Sequence, residues 1–210
     1  MGESSARISS AAGAGAVPEG SSAKAAGAAG HAVFETALGF FGIAWSAAGL
    51  ARLCLPQASR EAVQRRLLRL EGVAEDRGAR PRWVERLIAG IRDYAEGRQV
   101  DFADVPVDLS GVDDFRLAIY AAARALAYGE TTTYGELAKR AGHSGLPRET
   151  GAALGANPVP LVIPCHRILA AGGRIGGFSA PGGSASKERM LALEGVQVGP
   201  PPPAQASFGF

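Results

Sequence analysis

Strand-like alternation and then helical periodicity mark the early part of the chain. From Val33 onward, the run VFETALGFFGIAWSAAGLARLCL alternates aromatic or β-branched residues with small ones and is punctuated by glycine. This pattern is typical of a meander, and we expect two or three antiparallel strands. Two later stretches carry apolar residues at helical spacing, which predicts two amphipathic helices packed on that sheet. The residues concerned are Val63, Leu67, Leu70, Val84, Leu87, Ile88 and Ile91.

A break in the pattern indicates a second domain. Residues 101–111 contain proline and aspartate without helical periodicity, so we interpret them as a linker after a first domain at 31–108. The next helix should end at Gly129, because glycine commonly terminates helices. Its apolar positions are Phe115, Ile119, Ala122 and Leu126.

Two short helices joined by a tight turn are predicted next. Thr133, followed three residues later by Glu136, forms a capping box, which places Tyr134 in the first turn of a helix. Pro147 suits the first turn of the following helix, and Asn157 before proline should stop it. This arrangement is a helix-turn-helix candidate.

The remaining residues complete a winged helix-turn-helix. PVPLVIPCHRIL is interpreted as a buried strand, Ala171-Gly172-Gly173 as a turn, and the residues after it as a second short strand, which together resemble a wing. SASKERMLALEG should form the last helix. The sequence therefore predicts an α+β fold: a small N-terminal antiparallel-sheet plus helix domain, followed by a winged helix-turn-helix domain at residues 109–198.

Both ends of the chain differ in composition from these domains. Residues 1–30 are rich in Ala, Gly and Ser and predict a disordered tail, without the basic start and compact apolar stretch of a secretory signal. Residues 199–210 form a proline-rich tail. No apolar run approaches the roughly 20 residues that span a bilayer, so we expect no membrane partner and a cytoplasmic location.

Net charge and cysteine content exclude few classes of function. A formal net charge of +2 and a pI of about 8.7 permit nucleic-acid binding without indicating it. The two cysteines, Cys54 and Cys165, form no CxxC motif and have no nearby histidine pair, so neither a disulfide framework nor a metal site is predicted.

The tetrapeptide Pro164-Cys165-His166-Arg167 places a thiol beside an imidazole. A free thiol needs a neighbouring base or positive charge to become a nucleophile at neutral pH. Adjacent residues on a strand point to opposite faces, so His166 can assist Cys165 only if the backbone turns there or a water bridges them. Taken alone, the pair is more often a buried structural thiol next to a core histidine than a reactive site.

The wider context resembles a known family. NPVPLVIPCHRI, preceded by GETTTYGELAKRAG and followed by KERMLALEG, resembles the catalytic domain of the O6-alkylguanine-DNA alkyltransferases, or methylated-DNA-protein-cysteine methyltransferases, over residues 112–196. GIAWSAAGLARLCLP and LIAGIRDYAEGRQVDF more weakly resemble that family's N-terminal domain.

The resemblance implies a role for each matching residue. Cys165 would accept the alkyl group, His166 would deprotonate it through a water, and Glu194 would orient the histidine. Asn157 would tie together the turn before the cysteine, and Tyr134 would contact the flipped guanine. Without the resemblance, Glu194 is better interpreted as an ordinary solvated acid at a helix end, and for Asn157 a plain helix stop is an equally good interpretation.

The resemblance also implies DNA-binding residues. Arg148, nine residues before Asn157, would fill the space that the flipped nucleotide leaves, and Gly151 would let the helix approach the DNA closely. Glu149 departs from the family pattern and should weaken binding near phosphates. The segment at 176–187 is longer than usual and carries Phe178 where tyrosine is common, which makes the alkyl pocket different.

We therefore expect a protein that transfers an alkyl group irreversibly from O6-alkylguanine in double-stranded DNA to Cys165. It would act once, as a monomer, without a cofactor, because the damaged base is the alkyl donor. An alkyltransferase-like protein that binds the lesion without transfer is the alternative. A Cys-His-Glu hydrolase and a winged-helix transcription factor remain as further alternatives.

Overall fold

The computed structural model describes residues 30–68 and 80–199. The predicted tails at 1–30 and 199–210 lie almost wholly outside the described residues, and so does Leu70 of the first predicted helix. Within the two described stretches, no helix has both the length and the apolarity needed to cross a bilayer.

Three strands form the predicted meander: β1 (Gly30–Thr36), β2 (Gly39–Trp45) and β3 (Leu50–Gln57). They pair antiparallel in the order β1-β2-β3. Alternation along β2 divides the sheet into two faces. Phe41 and Ile43 point into the main core, whereas Ala44 belongs to a separate cluster on the opposite face.

Each face of the sheet is covered by one of the two predicted helices. α1 (Arg60–Leu68) buries Val63 and Leu67 on the face that carries Ala44. α2 (Arg82–Ala95) packs on the main core through its apolar stripe. The residues of this stripe are Val84, Leu87, Ile88, Ile91, Tyr94 and Ala95.

The predicted linker at 101–111 is bound to the sheet. The Leu50 amide donates to the Pro106 carbonyl at 2.8 Å, and the Asp108 amide donates to the Leu50 carbonyl at 2.9 Å. Phe102 is buried in the main core. The segment therefore holds the sheet against the second half of the chain.

Residues 109–199 contain four helices, two short 3-10 helices and two short strands. α4 and α5 pack together as the helix-turn-helix. The Thr133 side chain accepts from the Glu136 amide at 3.2 Å, as the capping box predicts, and Tyr134 begins α4. The elements are α3 (Asp114–Arg124), β4 (Thr132–Thr133), α4 (Tyr134–Arg140), α5 (Pro147–Gly155), a 3-10 helix (Cys165–Arg167), β5 (Ile168–Leu169) and α6 (Gly183–Leu193).

Three details of the predicted second domain were wrong. The stretch PVPLVIPCHRIL is mostly turn and 3-10 helix rather than a buried strand, with a two-residue strand at Ile168–Leu169. Between the turn at Ala171-Gly172-Gly173, which forms a short 3-10 helix, and residue 199 no strand is present; β5 pairs instead in parallel with β4. Glycine and proline dominate the residues after the turn, and both are poor strand formers. α3 ends at Arg124, well before Gly129, although Leu126 remains buried.

A continuous hydrophobic core joins both halves of the chain. Tyr94 lies at the junction, fully buried, with its hydroxyl donating to the Met190 carbonyl of α6 at 3.4 Å. Its ring meets those of Phe102 and Tyr128 edge-on, with centroids 6.3 and 6.5 Å apart. The sheet, α2 and α6 therefore pack around one aromatic side chain.

The close approach of α1 to the sheet predicts a stability effect at Gly42. A Cβ atom there would lie 2.5 Å from Val63 Cγ1 and 2.8 Å from Leu67 Cδ1. We expect Gly42→Ala to lower the free energy of unfolding by about 1–3 kcal/mol, measured by urea denaturation, because of overpacking. Gly135→Ala is the control: its Cβ meets nothing within 4 Å, so the helix-favouring alanine should leave stability equal or higher. Equal stability of both variants would contradict the close contact.

Candidate active site

The backbone turns at Cys165, so thiol and imidazole do not lie on opposite faces of a strand. Cys165–Arg167 form a single turn of 3-10 helix, in which the Arg167 amide donates to the Pro164 carbonyl at 2.9 Å. Cys165 is 7% exposed and His166 is fully buried. The turn gives both side chains access to the interior around α6.

Asn157 holds the segment that leads into this turn. Its Nδ2 donates to the Ile163 carbonyl at 2.8 Å, and its Oδ1 accepts from the Val159 amide at 3.0 Å. Leu161, between these partners, has a φ of 77°, which is unfavourable for a residue with a Cβ. The two side-chain bonds hold this strained loop in place.

Glu194 lies next to His166 in the buried interior. His166 Nε2 is 2.7 Å from Glu194 Oε1, and both side chains are fully buried. Arg167 donates from Nε to Glu194 Oε2 at 2.8 Å, and the Gly129 amide donates to the same oxygen at 3.0 Å. The carboxylate thus binds the 3-10 turn, and the loop after α3, to the end of α6.

Burial alone would raise the pKa of Glu194. The hydrogen bonds and charges of His166 and Arg167 outweigh it and bring the pKa of Glu194 to about 2. The side chain is therefore a carboxylate throughout the neutral range, and it accepts a hydrogen bond from Nε2 of the histidine.

This contact fixes the histidine tautomer. Because Nε2 carries the proton shared with Glu194, Nδ1 carries a lone pair. Nδ1 is buried and has no hydrogen-bond partner within the described parts of the chain. Burial lowers the pKa of His166, so the ring is a neutral base at neutral pH.

The Cys165 thiol is protonated at rest. Burial raises its pKa, and the Asn157 side chain and the Lys187 charge lower it only in part. A proton acceptor is therefore needed to make the thiolate, and His166 Nδ1 is a neutral base on the adjacent residue.

Lys187 is a site residue that the sequence reasoning missed. It is fully buried, and its Nζ donates to the Ile168 carbonyl. The nitrogen lies 5.5 Å from the centre of the Tyr134 ring and 5.9 Å from that of Phe178. Burial lowers the pKa of Lys187, and Cys165 raises it. One signal was available: Lys187 precedes Glu194, which follows α6 directly, by seven residues, or about two helical turns.

A cavity of about 430 Å³ opens beside the thiol. Tyr134 forms one wall, and its hydroxyl donates to the Gly177 carbonyl at 3.3 Å. Burial and the neighbouring Cys165 raise the pKa of this hydroxyl, which stays protonated at neutral pH. The lining residues are Tyr134, Pro147, Gly151, Leu154, Gly155, Cys165, Gly177, Phe178 and Ser179.

The structure brings together five of the seven residues predicted from the sequence. Asn157, His166 and Tyr134 lie around Cys165, and Glu194 contacts His166. Gly151 lines the cavity from α5. Arg148 lies outside it, exposed in the first turn of α5 beside the exposed Glu149. Across residues 30–68 and 80–199, no group of three or more His, Cys, Asp or Glu side chains is arranged to hold a metal ion.

The buried carboxylate predicts an acid-dependent stability. Because folding depresses the pKa of Glu194 from 4.5 to about 2, its contribution is present above about pH 4.5 and is lost as the pH falls towards 2. We expect Glu194→Gln to lower the free energy of unfolding at pH 7 by about 3–5 kcal/mol, since Arg167 loses its buried partner. The deficit should shrink below about pH 4.5 when unfolding is followed by circular dichroism.

Glu130→Gln makes the same chemical change at the surface and serves as the control. Glu130 forms an exposed ion pair with Arg140 at 3.0 Å, so its loss should cost about 1 kcal/mol or less. A Glu194→Gln protein as stable as the control would contradict the role of the buried carboxylate.

Comparison with known proteins supports the expected resemblance. Residues 114–196 match a family model described as the DNA-binding domain of 6-O-methylguanine DNA methyltransferase. A methylated-DNA–protein-cysteine methyltransferase of Methanothermobacter thermautotrophicus is 37% identical over 134 residues, which cover 63% of this chain and 74% of that protein.

The chain is also similar to a second curated protein and to a solved structure. A DNA base-flipping protein of Thermus thermophilus is 40% identical over 111 residues, 53% of this chain and 73% of that one. The crystal structure of Mycobacterium tuberculosis OGT in complex with DNA superposes with a TM-score of 0.63 at 31% identity, covering 78% of this chain and 91% of that one.

Proposed function

The chain belongs to the O6-alkylguanine-DNA alkyltransferases, the methylated-DNA–protein-cysteine methyltransferases, and on that premise we propose that Cys165 is the residue that accepts the alkyl group. It is a DNA repair protein that takes an alkyl group from guanine in DNA onto its own cysteine. The single observation that carries the assignment is the position of Cys165: it lines a cavity, and the adjacent His166 is held by a buried carboxylate.

The transfer needs a thiolate, and the neighbours of Cys165 supply it. The thiol proton moves to His166 Nδ1, through a bridging water, while Glu194 stabilises the imidazolium that forms. The Lys187 ammonium stabilises the thiolate during the same step. No cofactor enters this scheme, because the substrate itself is the alkyl donor.

The sulfur then attacks the alkyl carbon bound to O6 of guanine. The S–C bond forms as the C–O6 bond breaks, and the bonding electron pair leaves with the guanine, which takes up a proton. The protonated hydroxyl of Tyr134, on the cavity wall, is placed to donate to the leaving base. The product is a thioether, which is stable, so each molecule acts once.

The substrate must leave the duplex for this reaction. Cys165 is buried, and O6 of a stacked guanine cannot reach it, so double-stranded DNA containing O6-alkylguanine would be bound with the damaged base flipped into the cavity. Arg148, exposed at the start of α5, would occupy the space left in the stack. Gly151 lines the cavity on the same helix, next to the Tyr134 ring. Glu149 beside Arg148 opposes phosphate binding.

A monomer suffices for this scheme, since one chain contributes every group named in it. The alternative function is lesion binding without transfer. The hydrogen-bonded His166–Glu194 pair next to a cysteine favours transfer, because binding alone requires neither a base nor a thiol.

Intact mass spectrometry tests the acceptor directly. After incubation with a duplex containing O6-methylguanine, the protein should gain one methyl group, about 14 Da, on Cys165. Cys165→Ala should abolish transfer and still bind the duplex. Cys54→Ala is the matched control: Cys54 packs against α1 and should not affect the mass gain. Methyl transfer by Cys165→Ala would refute the assignment.

Arg148→Ala separates base flipping from chemistry. With duplex substrate, single-turnover transfer should slow by roughly 10- to 100-fold, because unstacking costs a few kcal/mol. With free O6-benzylguanine, which needs no flipping, the rate should stay close to that of the wild type. Arg148→Lys should restore part of the duplex rate, since an ammonium keeps the charge but cannot stack as a plane.

Comparing the rates with the duplex and with the free base also shows which results would contradict the role of Arg148. Equal losses with duplex and free base would indicate a cavity or folding defect, and no loss with the duplex would place Arg148 on a solvated surface. Either result would contradict the proposed role.

A further inference from the structure

A second cavity, of about 180 Å³, meets the first at Cys165. The two cavities share the walls formed by Leu154, Gly155, Phe178 and Ser179, and Cys165 lines both. The first opens beside Tyr134 and α5, whereas the second runs from the thiol towards strand β3 and helix α1. The proposed function uses only the first.

Among the described residues, the charged side chains that line the second cavity are both arginines. Arg52 comes from β3 and Arg66 from α1, and no Asp or Glu in the described parts of the chain joins them in the lining. Asn157 and Ser179 add polar atoms close to Cys165. The lining of this cavity therefore combines the Cys165 thiol with two guanidinium groups.

Arg52 has hydrogen-bonding capacity that the described protein does not use. Its Nε is buried and has no hydrogen-bond partner in residues 30–68 and 80–199. A buried donor without an acceptor costs about 1–3 kcal/mol, so such groups are normally paired. An acceptor supplied by a ligand in the cavity would satisfy it.

The backbone fixes Arg52 beside the active-site segment. The amide of Leu53, its neighbour on β3, donates to the Pro158 carbonyl at 3.0 Å. Pro158 adjoins Asn157, whose side chain holds the loop leading to Cys165. The strand that carries Arg52 is thus bound directly to the loop that positions the thiol.

The following step rests on the proposed function. When the guanine occupies the first cavity and the sulfur attacks the carbon on O6, any group attached to that carbon must lie to the side of the S–C–O line. The second cavity also adjoins Cys165 and lies outside the space assigned to the guanine. We propose that it receives the distal end of larger O6 adducts, and that Arg52, supported by Arg66, selects adducts that end in a carboxylate, such as carboxymethyl.

The reaction with such an adduct balances in the same way as methyl transfer. The thiolate displaces guanine from the methylene carbon, forming S–C and breaking C–O6, and the electron pair and a proton go to the guanine. The carboxylate is carried across unchanged, which leaves S-carboxymethylcysteine at Cys165. No oxidant, reductant or second substrate takes part.

Arginine is suited to this selection. Bringing a carboxylate out of water into a small cavity is costly unless it is paired, and a guanidinium can pair with it through two hydrogen bonds. A methyl group is uncharged and needs no such partner. Arg52 should therefore affect transfer from the anionic adduct and leave methyl transfer unchanged.

Single-turnover transfer rates with matched duplexes test this inference. One duplex carries O6-methylguanine and the other O6-carboxymethylguanine, and product is identified by intact mass. Arg52→Gln should slow carboxymethyl transfer by roughly tenfold or more and change methyl transfer by less than about twofold. Arg52→Lys should recover part of the carboxymethyl rate. Arg65→Gln, exposed on α1 and outside the cavity lining, should change neither.

Each other outcome has a distinct meaning. Equal loss with both duplexes would overturn the inference and place Arg52 against DNA phosphates or in the fold; a weaker salt dependence of binding would identify the phosphate contact. Unchanged carboxymethyl transfer in both Arg52→Gln and Arg66→Gln would also overturn it. Absence of methyl transfer by the wild type would instead refute the proposed function.

Discussion

The buried carboxylate of Glu194 is the interaction on which the site depends. It receives hydrogen bonds from the His166 ring, the Arg167 guanidinium and the Gly129 amide. These partners belong to the 3-10 turn and to the loop after α3, while Glu194 itself follows α6. Breaking a buried pair leaves an uncompensated charge, so one anion fixes both the tautomer of the base and the packing of three segments.

Burial of Cys165 disfavours its reactive thiolate form, and the charge of Lys187 partly offsets this effect. Desolvation raises the pKa of the thiol and lowers the pKa values of His166 and Lys187. The same desolvation strengthens every charge interaction inside the cavity. A neutral thiol beside a neutral base is the resting state, and the ion pair needs to exist only while the alkyl group moves. Such a site suits a protein that reacts once.

Local signals along the chain predicted much of the fold and part of the site. The capping box correctly placed Tyr134 at the start of α4, and the proline after Asn157 stops α5. The alternation of large and small residues predicted the three-stranded meander, and the helical spacing of apolar residues predicted both helices that cover it. The prediction of a second wing strand was wrong because the segment contains more glycine and proline than β-branched residues. No local sequence pattern indicates that β5 pairs with β4 instead.

Contacts between residues that are far apart in the sequence could not be predicted from the spacing of residue types. His166 and Glu194 are 28 residues apart, and only packing of α6 against the 3-10 turn brings them together. Lys187 is a lysine in a polar helical segment, and its full burial follows from the same packing. The family resemblance supplied Glu194 where physical reasoning left it open, but it gave no indication of Arg52.

The N-terminal sheet takes part in the site through its last strand. A continuous core joins it to α3, α5 and α6, and the bond from Leu53 to Pro158 attaches β3 to the loop before Cys165. Any movement of β3 would therefore move the wall behind the thiol. Strand β3 contributes to the wall of the second cavity, while the helix-turn-helix carries Tyr134 and Gly151, which line the first. A substitution in β3 can thus alter which adducts fit without touching the residues that bind the base.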